Sequence, residues 1–335
     1  MEKRKYIPKA IFEGCMLGLA IGDALGMPCE DLSRSEIVET FGRIKDYQDP
    51  LKGMFNYGRL KAGMYTDDTE QALVLAESII ETKGFDASNF AEKLLGEYGK
   101  NIIEHPELDR WIGGTFEKAV FNYISGKPAT ECGVMANTCG SAMRAAPIGL
   151  DPTGFRRGTR TLARESSRIT HLGNEAVAGA EAVALYVDSA LTKNMTPSQI
   201  DMISIFVGSQ SDVMKARLDK AYRMRKGKPE DAVKALGGSQ LALEVVPTAI
   251  YAFHHSPNDF EEAVLTAVNM GGDTDSRATI TGAISGTYLG SKQIPNRWVK
   301  GIENREKLVE VANKIRNMYE FLPPTEVNYH YPRFE

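Results

Sequence analysis

The chain has little cysteine for its 335 residues: four, at Cys15, Cys29, Cys132 and Cys139. No two of them form a Cys-x-x-Cys pair and no histidine lies nearby at ligand spacing, which argues against a disulfide framework and against a zinc site. They read as reduced thiols in a cytoplasmic protein. An excess of positive charge is also missing, because the net charge is −4 with acidic and basic residues interleaved. That excludes the basic footprint of a nucleic-acid binder, and the basic stretch at 215–228 reads as a solvated helix face and turn. Long apolar runs are lacking as well. The N-terminus has a basic start and an apolar stretch, but Glu13 and Asp23 bracket an apolar run of only nine residues and no Ala-x-Ala pattern follows. Such a run is too short to cross a bilayer, so a core helix and no membrane partner are expected. Finally, no Val/Ile/Tyr/Thr runs alternate with period two, no hairpin signal joins them, and no Gly/Ser or Pro linker divides the chain. These absences predict an all-α fold in one domain, 1–335; residues 293–335 are expected as a C-terminal extension packed on it. A monomer is expected.

What is present is apolar substance and patterned glycine. A hydrophobic content of 42% over this length is enough for a large core. Gly14, Gly18, Gly22 and Gly26 recur every fourth residue in the first predicted helix, and Gly282, Gly286 and Gly290 repeat that spacing late in the chain. Glycine costs about 1 kcal/mol relative to alanine inside a helix, so such stripes point to close backbone packing. The first helix is therefore predicted to cross the later one near the protein centre; the alternative is that each stripe meets a different helix. Asp23, inside the striped helix, reads as a structural carboxylate bonded to neighbouring backbone. Residues 31–62 read as a short helix and a long surface loop, and the Pro- and aromatic-rich tail from Phe321 onward as a strap across the surface or a disordered end.

Chemistry-bearing residues gather in a few places. The stretch NMGGDTDSR (269–277) sets Asp273, Asp275 and Ser276 behind a Gly pair and ahead of an Ala/Ile/Gly-rich helical stretch at 278–289. Hard oxygens presented by a tightly wrapped loop suit Mg²⁺, Mn²⁺ or Ca²⁺, although Asp or Ser before an apolar run is also an ordinary helix cap. Thr66, Asp67 and Asp68 precede another helix; Asp67 with Glu70 three residues on also fits a capping box. Gly140 and Ser141 open a short Ala-rich helix, a place that suits an oxyanion or phosphate. Thr170 and His171 precede a strongly periodic helix, where a histidine can serve capping, packing or catalysis. Trp111 stands before a Gly113-Gly114 turn.

Taken together, GDALGMPCE (22–30), YTDDT (65–69), GSAMR (140–144), TH (170–171) and GGDTDS (271–276) resemble, in order, the motifs of the ADP-ribosylglycohydrolases, over roughly residues 10–292. The resemblance implies a mostly orthogonal multi-helix bundle with a central two-metal cleft holding Mg²⁺ or Mn²⁺. Carried over residue by residue, it implies metal ligation by Thr66, Asp67, Asp68, Asp273, Asp275 and Ser276. Glu30, Asp67 and Asp275 would be catalytic, and Gly140, Ser141 and His171 would bind substrate. Trp111, which is not carried over, is expected to add a stacking face to the substrate site; the alternative is a core Trp unrelated to it. Ser276 replaces a Thr common in relatives and keeps the hydroxyl. Trp111 stands where arginine-directed members have an Asp that pairs with guanidinium, and Cys139 where relatives commonly have Asn. The implied activity is metal-dependent cleavage of the glycosidic bond between ADP-ribose, or a related ribosyl group, and an acceptor. ADP-ribosylated protein or a small-molecule ADP-ribose conjugate would be the partner. Alternatives are an N-ribosyl hydrolase of a free nucleoside or nucleotide-like molecule, and a non-catalytic ADP-ribose-binding or structural protein.

Overall fold

The computed structural model describes residues 7–54 and 56–321. Among these the chain is helical throughout, with isolated bridges and no β-strand. The tail predicted as a strap lies, beyond Phe321, outside the described residues.

At the centre lie the two glycine-striped helices, Lys9–Gly26 and Thr274–Leu289. They do not merely cross. They run antiparallel in one register for four turns, with Gly14 facing Gly286, Gly18 facing Gly282, Gly22 facing Ala278 and Gly26 facing Asp275. A β-carbon built on Gly14, Gly18 or Gly22 would lie 2.0, 2.2 or 2.0 Å from a carbonyl oxygen of the partner helix, so the matched stripes let backbone meet backbone. The first helix is long and apolar enough by composition to cross a membrane. Here it is the core element: every residue from Gly14 to Gly26 is buried. Full burial of side chains such as Phe12, Leu19 and Ile21 stabilises the fold by about 1.5–3 kcal/mol each.

Around this pair pack Asp67–Thr82, Asn174–Leu191, Ala242–His255, Phe260–Val268 and Arg305–Met318. Residues after 293 close one side. Trp298 is fully buried with its ring 6.3 Å from that of Phe260, and Tyr319 stacks edge-on against Phe12 and donates to the Leu150 carbonyl at 3.0 Å.

Asp23 reaches from the first helix to the start of the Asp67 helix. Its carboxylate accepts the backbone N–H of Thr66 at 2.9 Å, that of Thr69 at 3.0 Å, and the Thr69 hydroxyl at 2.6 Å. Donors at the start of one helix are thus satisfied from another. This explains why the capping box expected of Asp67 and Glu70 does not form. Thr66 is the N-cap, accepting from Asp68 N at 3.3 Å, and Glu70 instead pairs with Arg110 at 3.1 Å and accepts from the Tyr98 hydroxyl at 2.9 Å.

Candidate active site

The Asp273 loop is bent by its two glycines. Gly271 and Gly272 have φ of 80° and 78°, and a β-carbon on Gly272 would lie 1.8 Å from the Gly238 carbonyl oxygen. The bend lets Gly272 exchange hydrogen bonds with the segment after the first helix, Gly272 N to Leu32 O at 2.7 Å and Asp31 N to Gly272 O at 3.0 Å. Glu30, at the end of that helix, is thereby drawn into the same cleft as Asp273 and Asp275, and it is buried rather than a surface carboxylate.

The cleft is a cavity of about 630 Å³, a normal size for a small-molecule site. Glu30, Asp67, Asp68, Asp273, Asp275, Ser276, Gly140, His171 and Trp111 all line it. Two expected site residues do not. Thr66 spends its oxygen on the Asp68 N–H, and the Ser141 hydroxyl accepts from Ser167 at 2.8 Å and donates to the Ala176 carbonyl at 3.4 Å. Nor does Gly140 open an Ala-rich helix. Cys139–Ser141 is a single 3₁₀ turn, and the chain turns helical again only at Ala146–Gly149, where Pro147 stands in the first turn. Proline lacks the N–H and disfavours helix immediately before it, which breaks the continuity that the alanines suggest.

Seven carboxylate residues line this cavity, among them Glu30, Asp67, Asp68, Asp273 and Asp275 at its acidic end, while no Lys or Arg among the described residues lines it. Three of their oxygens, Asp68 Oδ2, Asp273 Oδ1 and Asp275 Oδ1, are buried without a hydrogen-bond partner. Asp273 does occupy the N-cap position, but its side chain makes no capping bond, so capping does not explain it. Burial first, and then mutual repulsion, holds the carboxyls of Glu30, Asp68 and Asp275 well above the usual range; Asp67 is raised by burial and by Asp23. Asp23, raised by burial against its hydrogen bonds from Thr69 and Thr66, is pushed up to about 6. Buried carboxylates with unpaired oxygens demand positive charge, and none is provided by the side chains lining the cavity. The residues present therefore fit hard divalent ions. Among the described residues, no three His, Cys, Asp or Glu side chains stand close enough to grip one ion by themselves. Hydroxyl and water oxygens would have to complete each ligand set, as Mg²⁺ commonly requires.

Cys139 turns its thiol into this cluster, donating to Asp273 Oδ2 at 3.1 Å. Burial and the charges of Asp273 and Asp68 raise it well above the ordinary thiol range, so it is a neutral donor there. Trp111 lines the cavity wall and is no core residue. Its left-handed backbone, φ 83°, is held by Asp109 Oδ1, which accepts the N–H groups of Trp111 and Ile112 at 2.9 Å each.

Several residues of the site escape sequence reasoning. Arg144 is fully buried behind the cavity, donating to Gln71 Oε1 and to Thr170 Oγ1 at 2.6 Å each. Gln71 in turn donates to Asp67 Oδ2 at 2.6 Å. The spacing of Asp67 and Gln71, four residues on one helix face, was a readable signal. Thr138, which meets His171 Nε2 at 3.0 Å, carried none.

Fold and cavity together define the class, a helical enzyme with an acidic concave centre. A family model described as ADP-ribosylglycohydrolase matches residues 6–323, and the chain belongs to that family of glycosyl hydrolases. An uncharacterised protein of Archaeoglobus fulgidus is 39% identical, over 92% of this chain and 96% of its own. ADP-ribosylhydrolase ARH3 of Bos taurus is 27% identical, over 92% of this chain and 93% of its own. A solved structure titled ADP-ribosylglycohydrolase-related protein complex superposes with a TM-score of 0.72 at 28% identity, covering 93% of this chain and 98% of that one.

Proposed function

We propose that the chain is a metal-dependent hydrolase that cleaves the glycosidic bond between ADP-ribose, or a related ribosyl group, and an acceptor on a protein side chain or small molecule. The observation that carries this reading is the set of buried, unpartnered carboxylate oxygens on Asp68, Asp273 and Asp275 in one cavity without lining cations. Asp67 and Asp68 from one helix start, with Asp273, Asp275 and Ser276 from the other, would hold two divalent cations, Mg²⁺ or Mn²⁺. When bound, such ions lower the pKa of water and polarise hydroxyl oxygens.

The remaining tasks fall to the chain's own groups. Breaking a bond to the anomeric carbon develops positive oxocarbenium character, which the ring of carboxylates favours. Glu30, buried and held protonated more readily than an ordinary glutamate, is suited to passing a proton to or from the departing acceptor. Gln71, bonded to Asp67 Oδ2, keeps that carboxylate oriented. Ile102, Ile112 and Phe116 give the cavity an apolar wall for the rest of the ligand, and Trp111 adds a flat face.

With Trp at 111, ADP-ribosyl-arginine is not the preferred substrate, since guanidinium calls for a carboxylate partner. The test is a product assay with Mg²⁺ or Mn²⁺ across arginine-linked, serine-linked and small-molecule ADP-ribose, with free nucleosides as a further arm. Release of ADP-ribose from a serine-linked or small-molecule conjugate is expected. Turnover of free nucleosides alone would replace this reading with the N-ribosyl hydrolase.

A further inference from the structure

Behind the cavity lies a hydrogen-bond chain whose polarity can be worked out from donor chemistry alone. Arg144 can only donate, and its Nη2 donates to Thr170 Oγ1 at 2.6 Å. Thr170 is fully buried, and the other partner of its hydroxyl is His171 Nδ1, at 2.7 Å. The hydroxyl has one proton. With Arg144 taking an acceptor position, that proton goes to Nδ1, since any other arrangement would leave it unsatisfied in the interior. Nδ1 is then an acceptor, and Nε2 carries the ring proton and donates to Thr138 Oγ1 at 3.0 Å. Thr138 in turn meets Thr115 Oγ1 at 3.1 Å, and His171, Thr138 and Thr115 all line the cavity.

We infer that Arg144, acting through Thr170, holds His171 in the Nε2–H tautomer, so that the imidazole meets a ligand oxygen that takes the place of Thr138 as a hydrogen-bond donor, and takes no proton from the substrate. Arg144 is thus a positioning residue that acts on both sides of the site, on Asp67 through Gln71 and on His171 through Thr170. Three features support it. Burial, with Arg144 adding to it, pushes His171 down to about 3, so the ring is neutral at ordinary pH. Arg144, lowered by burial to about 9, remains cationic there. The ring is also fixed in place: Leu172 N donates to Val134 O at 2.9 Å and Val134 N to Thr170 O at 3.0 Å, while a β-carbon at Gly140 would press on the Cε1–Nε2 edge at 3.1 and 3.3 Å.

The ligand role rests on the proposed function, whereas the tautomer does not, and the test separates them. Histidine-labelled full-length protein, free of metal and ligand, is examined at neutral pH by multiple-bond ¹⁵N–¹H correlation, with the His171 signals identified by their loss in His171→Gln. A pyrrole-like Nε2 and a pyridine-like Nδ1 are expected. Thr170→Ser should preserve that pattern, and Thr170→Val should let the Nδ1–H form appear. An Nδ1–H or doubly protonated ring in the wild type, or an unchanged spectrum in Thr170→Val, would overturn the inference. In steady-state assays Thr170→Val should raise KM about tenfold, more than it lowers kcat, with Thr170→Ser restoring it. A fall in kcat at constant KM would make His171 a participant in the chemical step and contradict the donor role. Should the wild type show the expected spectrum but release no ADP-ribose from any conjugate, the proposed function fails and the tautomer assignment stands.

Discussion

Gly26 ends the first helix so close to Asp275 that a β-carbon on the glycine would lie 2.5 Å from the Asp275 Cα and N. The fourth glycine of the stripe thus does more than join two helices, because its contact lies where the second helix presents its carboxylates. An alanine inside a helix normally stabilises by about 1 kcal/mol over glycine. At position 26 the sign should reverse. Gly26→Ala is expected to lose about 2–3 kcal/mol through overpacking, read as a lower urea midpoint at constant m, and to lose hydrolytic activity as Asp275 is displaced.

A pH dependence follows from the crowded carboxyls. Glu30, Asp67, Asp68 and Asp275 are held well above their usual range and Asp23 is pushed up to about 6. The folded state therefore binds protons more tightly than the unfolded chain. Their contribution to stability is fully present below the ordinary carboxylate range near pH 4 and is lost as pH rises, through about 6 for Asp23 and through their own raised ranges for the others. Protein treated with EDTA should accordingly melt at a higher temperature at about pH 5 than at pH 7, and Asp275→Asn should flatten that difference. Added Mg²⁺ or Mn²⁺ should stabilise most at neutral pH and less as pH falls, since the ions require ionised ligands. A melting temperature that falls on acidification in EDTA, with no change in slope in Asp275→Asn, would contradict the arrangement.

Gly140 gives a finer probe. A β-carbon there would lie 3.1 Å from His171 Cε1 and 3.3 Å from Nε2, tight enough to push the ring a few tenths of an ångström without disrupting the core. Gly140→Ala is expected to leave stability within about 1 kcal/mol of the wild type while raising KM for the ADP-ribosyl substrate. Denaturant titration and steady-state kinetics on the same preparation would check both halves.

The parts legible in the sequence are those set by local pattern. Missing period-two runs pointed to a helical chain, and two glycine repeats of equal spacing pointed to the central helix pair. The antiparallel register over four turns depends on the pairing of Gly14 with Gly286 and Gly22 with Ala278, which no local pattern displays. Asp67, Asp68, Asp273 and Asp275 stood out because carboxylates cluster at helix starts. Whether they cap or converge was undecided until Asp23 proved to satisfy the backbone donors of the first cluster. Arg144 was hidden because a buried arginine looks, in one dimension, like any solvated one. Only the positions of Gln71 and Thr170 on two other segments reveal what it holds.

The central claim, that the two helix starts together hold divalent ions, is tested most directly by calorimetric titration of EDTA-treated protein with Mn²⁺. Saturable binding of two ions per chain is expected for the wild type, with fewer or weaker sites in folded Asp67→Asn and in folded Asp273→Asn. Absence of saturable binding, or unaltered binding in both variants, would contradict it.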